Sequence, residues 1–180
     1  MTTIEVRPVK NKQELEDMYH QRWLVFREPL GMEKGTEKDQ YESSAFHLVA
    51  VCNNQVIGSA RLRELSPGLG TIAYVGLLPE FRHQGIGTKL IETLIEKAKA
   101  NNLKALRLMT RINALGFYSR FGFIADGEPF DYVGISHQFM YLNLSSKGNR
   151  EQGTGNREQG IGSKSQSPHL PISPHLPPSP

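Results

Sequence analysis

The stretch from Thr71 to Ala98 constrains the fold most. An apolar run, Thr71–Leu78, has the content of a central strand and stops at Pro79, which cannot supply a ladder N–H. A glycine-bearing turn follows, and then Ile86, Leu90, Ile91, Leu94, Ile95 and Ala98 recur at helical spacing. A helix with one apolar stripe needs a sheet to bury it against, so a strand-loop-helix unit forms the centre of the domain. The helix begins where the buried strand ends. Its first-turn N–H groups have no intrahelical acceptor and carry the positive end of the dipole. Gly85 and Gly87 bring no Cβ to hold an anion away. The turn is therefore a candidate anion cradle.

Two familiar phosphate loops do not fit it. A P-loop needs glycine five residues before a Gly-Lys pair, and here Gly87 is followed by Thr88 and only then Lys89. A dinucleotide fingerprint needs a third glycine where Leu90 stands.

Around this unit, residues 1–144 alternate strand and helix signals. Ile4–Val9 predicts an edge strand. Leu15, Met18, Tyr19, Trp23 and Phe26 place a helical stripe between Asn11 and Phe26. Pro29, Gly31 and Gly35 open a long loop. Ala45–Cys52 and Gln55–Leu62 flank Asn53-Asn54, a hairpin signal. Asn101-Asn102 closes the second helix, Ala105–Met109 is a short strand, and Ala114–Phe121 a short helix ended by Gly122. Phe123–Ala125 and Phe139–Leu144 finish the body as strands. Hairpins first and a β-α-β-α-β run later predict an α+β domain, a mixed and mainly antiparallel sheet flanked by helices.

Composition breaks at Ser145. Six of the eleven prolines and no aromatic residue lie from there to Pro180. Gly148–Thr154 recurs as Gly155–Ile161, and Ser167–Pro171 as Ser173–Pro177. Such a segment cannot bury enough apolar surface to offset its ordering entropy, so 145–180 is expected to be a disordered low-complexity repeat tail. Its proline-rich end could serve as a polyproline ligand, although repeats of this kind look like translated repetitive DNA. The tail also holds +2 of the chain's net +3, leaving a near-neutral body without a basic, aromatic-interleaved run. That argues against nucleic acid as a partner. No stretch approaches the roughly 20 apolar residues of a membrane span, and the N-terminus lacks a secretion signal. The lone Cys52 can neither form an intrachain disulfide nor anchor a metal cluster, so no metal and a cytoplasmic setting are expected.

Two motifs then carry a resemblance. Arg82-x-x-Gly85-x-Gly87 resembles the pyrophosphate-binding motif of the GNAT superfamily of acyl-CoA N-acyltransferases. Ala114-Leu115-Gly116-Phe117-Tyr118-Ser119-Arg120-Phe121-Gly122-Phe123 resembles its second signature, A-x-x-F-Y-x-x-x-G-F. The order of elements over about residues 4–144 is similar as well. Arg22-Trp23, Phe26–Gly31, Gly35–Asp39 and Ala45-Phe46-His47 resemble a bacterial subgroup whose acetyltransferase domain occurs alone or joined to a thioesterase-like hot-dog domain.

The resemblance implies an enzyme with acetyl-CoA, or another short acyl-CoA, as co-substrate. Backbone N–H groups of Arg82, His83, Gln84, Gly85, Ile86, Gly87 and Thr88 would bind the pyrophosphate. Leu77 and Leu78 would pair with the pantetheine arm, and an N–H there could polarise the thioester carbonyl. Tyr118 matches the tyrosine that protonates the departing thiolate. The acceptor would be a primary amine of a small molecule or peptide, attacking directly; a hydroxyl, a carrier thiol, or a non-catalytic acyl-CoA sensor are the alternatives. A homodimer is open to such a domain. The general base is not assigned: Glu64, His47, His137 or water could serve. The chain departs from the family at Arg111, where many members carry asparagine.

Overall fold

The computed structural model describes residues 3–145, and the tail after Ser145 lies outside them. Seven strands form one sheet: β1 (Ile4–Pro8), β2 (Phe46–Cys52), β3 (Gln55–Ser66), β4 (Leu69–Leu77), β5 (Ala105–Arg111), β6 (Ile124–Tyr132) and β7 (Ile135–Asn143). Their spatial order is β1-β2-β3-β4-β5-β7-β6. Only β4 and β5 run parallel, joined by helix α2 (Ile86–Ala100). The predicted α+β mixed sheet is what forms.

Helix α1 (Lys12–Phe26) starts at Asn11, whose side chain accepts from the Glu14 N–H at 2.9 Å. Glu14 in turn takes two bonds from Arg7, at 2.8 and 2.7 Å, tying α1 to β1. Met18 and Tyr19 pack on Val49, Val51 and Val56 on one face of the sheet. On the other face Leu90, Ile91, Leu94 and Ala98 of α2 meet Leu48, Ala60, Leu62, Ile72, Leu106 and Leu108. Strand β2 is buried from Leu48 to Cys52, covered on both sides, which explains its unbroken apolar run. Cys52 is a core residue.

The feature that positions the site is a gap inside the sheet. β4 and β5 pair only from Leu69–Ile72 to Ala105–Leu108. Beyond Ile72, β4 stays on β3 as far as Leu77, while β5 stays on β7 as far as Arg111 opposite His137. The cause is a bulge. Arg61 faces Ala73 and Ser59 faces Gly76, so Tyr74 and Val75 share one place in the register, and Tyr74 takes φ 54°. Such an insertion bends a strand away from its neighbour. Gly76 lets α1 come close here, since a Cβ on it would stand 2.6 Å from the Phe26 ring.

Two local readings change. The Ala114–Phe121 helix is a 3-10 turn, Ile112–Ala114, followed by the five-residue helix α3 (Leu115–Ser119). The last strands are longer than the apolar runs suggested and form a hairpin around Val133-Gly134. Gly127 and Pro129 hide β6 from sequence inspection; both fit its edge position, where the register slips between Asp126 and Phe130.

Candidate active site

At the end of β4 the chain turns through Pro79–Phe81 into the loop before α2. His83 (φ 60°) and Gly85 (φ 80°) both adopt left-handed backbone, which turns successive N–H groups toward one side. Gly85 is the N-cap of α2 and offers no capping side chain, and the first turn holds no acid. The earliest bond into the helix runs from the Lys89 N–H to the Gly85 carbonyl at 3.1 Å. The Arg82 N–H is spent on the Pro79 carbonyl at 3.2 Å, and the N–H groups from His83 to Thr88 are left for an anion. Gly87 is informative. A Cβ there would come no closer than 3.4 Å to any neighbour, the Phe117 ring, so the fold itself does not require glycine. The Arg82 side chain donates to the Leu77 carbonyl at 3.2 Å and braces the loop against the strand.

The free edge of β4 adjoins this loop. The Leu78 N–H is spent on the Ile57 carbonyl of β3 at 2.8 Å. Because successive residues of a strand point their polar groups to opposite sides, Leu77 faces the gap, and its carbonyl accepts from Arg82 on that side. Of the two strand residues expected to meet the cofactor arm, Leu77 is the one with outward-facing backbone. Together with the loop, the residues present fit an acyl-CoA: a pyrophosphate cradle, then a strand edge with room beside it.

Tyr118 lies in α3 on the α2 side of the sheet, within the core. Its ring meets Phe117 and Phe123 edge-on, with centroids 5.0 and 6.0 Å apart. Burial pushes its phenol far above the ordinary range, with no charged neighbour pulling it back. It therefore stays protonated at any working pH, the state a proton donor needs.

The candidate bases separate by geometry. Glu64 accepts from the Gly68 N–H at 3.0 Å and stands opposite Gly70, at the end of the sheet remote from the gap. His47 presents Nε2 to the Glu42 carbonyl at 2.8 Å, while its Nδ1 is sealed from solvent without a partner. Burial holds its pKa below the usual value, so it is neutral. His137 is buried in β7 beside Phe130 and Tyr132. Arg111, the departure from the family pattern, is exposed at the end of β5 directly across from His137.

Sequence inspection did not find the charged cluster behind the bulge. Arg22 of α1 is fully buried and donates to Glu42 at 2.9 Å. Arg61 of β3 makes a two-pronged pair with Asp39, both bonds 2.8 Å, and shares Glu42 at 2.8 Å. Both guanidinium groups lie on the Tyr74 ring, 4.1 and 4.8 Å from its centroid. Next to them Gln21 bonds Ser59 at 2.7 Å and the Gly76 carbonyl at 3.2 Å. These groups clamp the bulged, left-handed Tyr74 between α1 and β3. One signal was available: Arg61 is the one charge between Val56 and Leu62, and a buried arginine demands carboxylates.

The acetyltransferase (GNAT) family model matches residues 15–123, and the chain belongs to that family. It is 28% identical over 137 residues to YitI of Bacillus subtilis, an uncharacterized N-acetyltransferase, across 72% of this chain and 92% of YitI. An acyl-CoA N-acyltransferase from Pseudomonas aeruginosa superimposes with a TM-score of 0.68 at 23% identity, covering 78% of this chain and 99% of that one. A GNAT family acetyltransferase from Elizabethkingia anophelis, solved with acetyl-CoA bound, superimposes with a TM-score of 0.60 at 22% identity, covering 78% and 98%. These last two are likenesses of fold. Among the described residues no helix is long and apolar enough to cross a membrane.

Proposed function

We propose that the protein is an N-acetyltransferase that moves the acetyl group of acetyl-CoA directly to a primary amine of a small molecule or peptide. One observation carries this reading: an uncapped helix start, with glycine at a position where the fold does not require it, opens beside a strand edge that the sheet leaves unpaired. Acetyl-CoA bound to the Elizabethkingia relative supports the choice of donor.

Backbone N–H groups from His83 to Thr88 would hold the pyrophosphate, with Arg82 bracing the loop through its side chain. The gap-facing edge at Leu77 would take the arm as an added strand, with an N–H polarising the thioester carbonyl. The acceptor amine attacks that carbonyl and the thiolate departs. Tyr118, protonated by virtue of its burial, gives the thiolate its proton. No covalent intermediate on the protein is needed, which leaves Cys52 to its place in the core.

The test is thiol release from acetyl-CoA with a panel of primary amines. Tyr118→Phe should lower turnover by about 100-fold or more while leaving stabilisation by acetyl-CoA unchanged. Equal turnover in the variant would remove Tyr118 from the chemistry. Stabilisation by acetyl-CoA with no thiol release on any acceptor would point instead to a domain that binds and senses acyl-CoA.

A further inference from the structure

We propose that His137 is the base of the reaction, receiving the acceptor amine's proton on Nε2; this rests on the acetyl-transfer reading above. Its Nδ1 lies 2.7 Å from the Ile135 carbonyl oxygen. That oxygen has no proton to give, so Nδ1 must carry the hydrogen, and in the neutral ring Nε2 keeps a lone pair. Unlike His47 Nδ1, His137 Nε2 is not sealed from solvent. Phe130 lies inclined by 28° to the imidazole with centroids 6.3 Å apart, and Tyr132 meets it edge-on at 5.5 Å, which restricts the ring's plane.

Its place in the sheet suits the role. The register that sets Ile72 beside Leu108 would, carried three residues further, set Val75 beside Arg111. His137 is paired with Arg111, so it stands at the level where the Tyr74 bulge opens the gap. Met140 of β7 joins the core on the α2 side, so by strand alternation His137 projects to the opposite face, the one α1 covers elsewhere. Tyr118 belongs to the α2 side. Acid and base thus lie on opposite faces of the sheet, which keeps the proton-accepting and proton-donating groups apart.

The step balances. The nitrogen–carbon bond forms, the carbon–sulfur bond breaks, the nitrogen's proton passes to His137 Nε2, and the sulfur takes the Tyr118 proton. Solvent then carries the proton from His137 back to Tyr118. Glu64 is too remote for this, and His47 has no nitrogen that an outside amine could reach.

The test uses the full chain, acetyl-CoA, and n-butylamine, benzylamine, spermidine and a lysine-containing dipeptide as amines. His137→Asn keeps an N–H for the Ile135 carbonyl but offers no basic nitrogen. Its kcat/KM should fall by about 100-fold or more with the acetyl-CoA-induced rise in Tm intact, and added imidazole should partly restore turnover in His137→Ala. Nitrogen-15 NMR should find His137 as the Nδ1–H tautomer. A wild type inert toward every amine overturns the acetyl-transfer reading and this inference with it. An active wild type beside an Asn variant within about threefold of it, or an Nε2–H tautomer, overturns the inference alone.

Discussion

The two sides of the gap are built in opposite ways. The segment from Arg82 to Thr88 is exposed as far as Gly85, made of consecutive residues, and offers backbone N–H groups that glycine and left-handed turns aim. The cluster behind Tyr74 is buried and drawn from α1, the 37–42 loop, β3 and β4, and it works through charged side chains that satisfy one another. One side is a local device that changes little in stability when altered. The other is a non-local device whose members hold a strained strand in place and cannot be changed singly without leaving a charge uncompensated.

Breaking the cluster should therefore produce the largest effect on folding. Asp39→Asn leaves Arg61 with Glu42 alone, and a loss of about 3 kcal/mol is expected from denaturant melts. Burial works against ionisation of Asp39, yet the Arg61 bonds and the Tyr41 N–H prevail and hold its pKa below the usual range. Its contribution is thus present above the ordinary carboxylate pKa and is lost as pH falls through the lowered value. The variant's stability should accordingly fall less steeply in acid than the wild type's. An unchanged melt would show that the cluster does not brace the strand.

The loop should show the converse. Gly87→Ala removes a helix glycine without a clash, so stability should rise by about 0.5–1 kcal/mol. Acetyl-CoA affinity should nevertheless drop at least tenfold, or about 1.4 kcal/mol. Retained affinity in isothermal titration would refute the cradle. A smaller effect belongs to the partly exposed Arg7–Glu14 pair, where Arg7→Gln should cost about 1 kcal/mol at most. Deleting residues 146–180 should change neither melt nor turnover; a large loss would mean that the tail serves the domain.

Legibility in the sequence follows the same division. The anion loop could be found because its signals are contiguous: a strand, a proline, two glycines and a helical stripe. The α+β class followed from element order. What escaped was non-local. The Tyr74 bulge leaves no mark in composition, because tyrosine suits a strand and only the mismatch with β3 reveals the extra residue. Arg22 and Arg61 look like surface charges until folding places Asp39 and Glu42 against them. The β6 strand was obscured by Gly127 and Pro129, residues that disfavour a strand anywhere but at an edge. Among the candidate bases, residue type could not choose. The hydrogen bond to Ile135 and the sealed Nδ1 of His47 were needed to separate two histidines.

The most direct test of the central claim is the thermal melt of the full chain with and without acetyl-CoA, repeated for Gly87→Ala. At 100 times its dissociation constant a ligand adds about 2.7 kcal/mol, a rise of several degrees for a domain of this size. The account predicts that rise in the wild type and a rise cut to about half or less, about 1.4 kcal/mol at most, at the same ligand concentration in a variant whose unliganded melt is no lower. No rise at millimolar acetyl-CoA, or a rise that Gly87→Ala leaves intact, would contradict it.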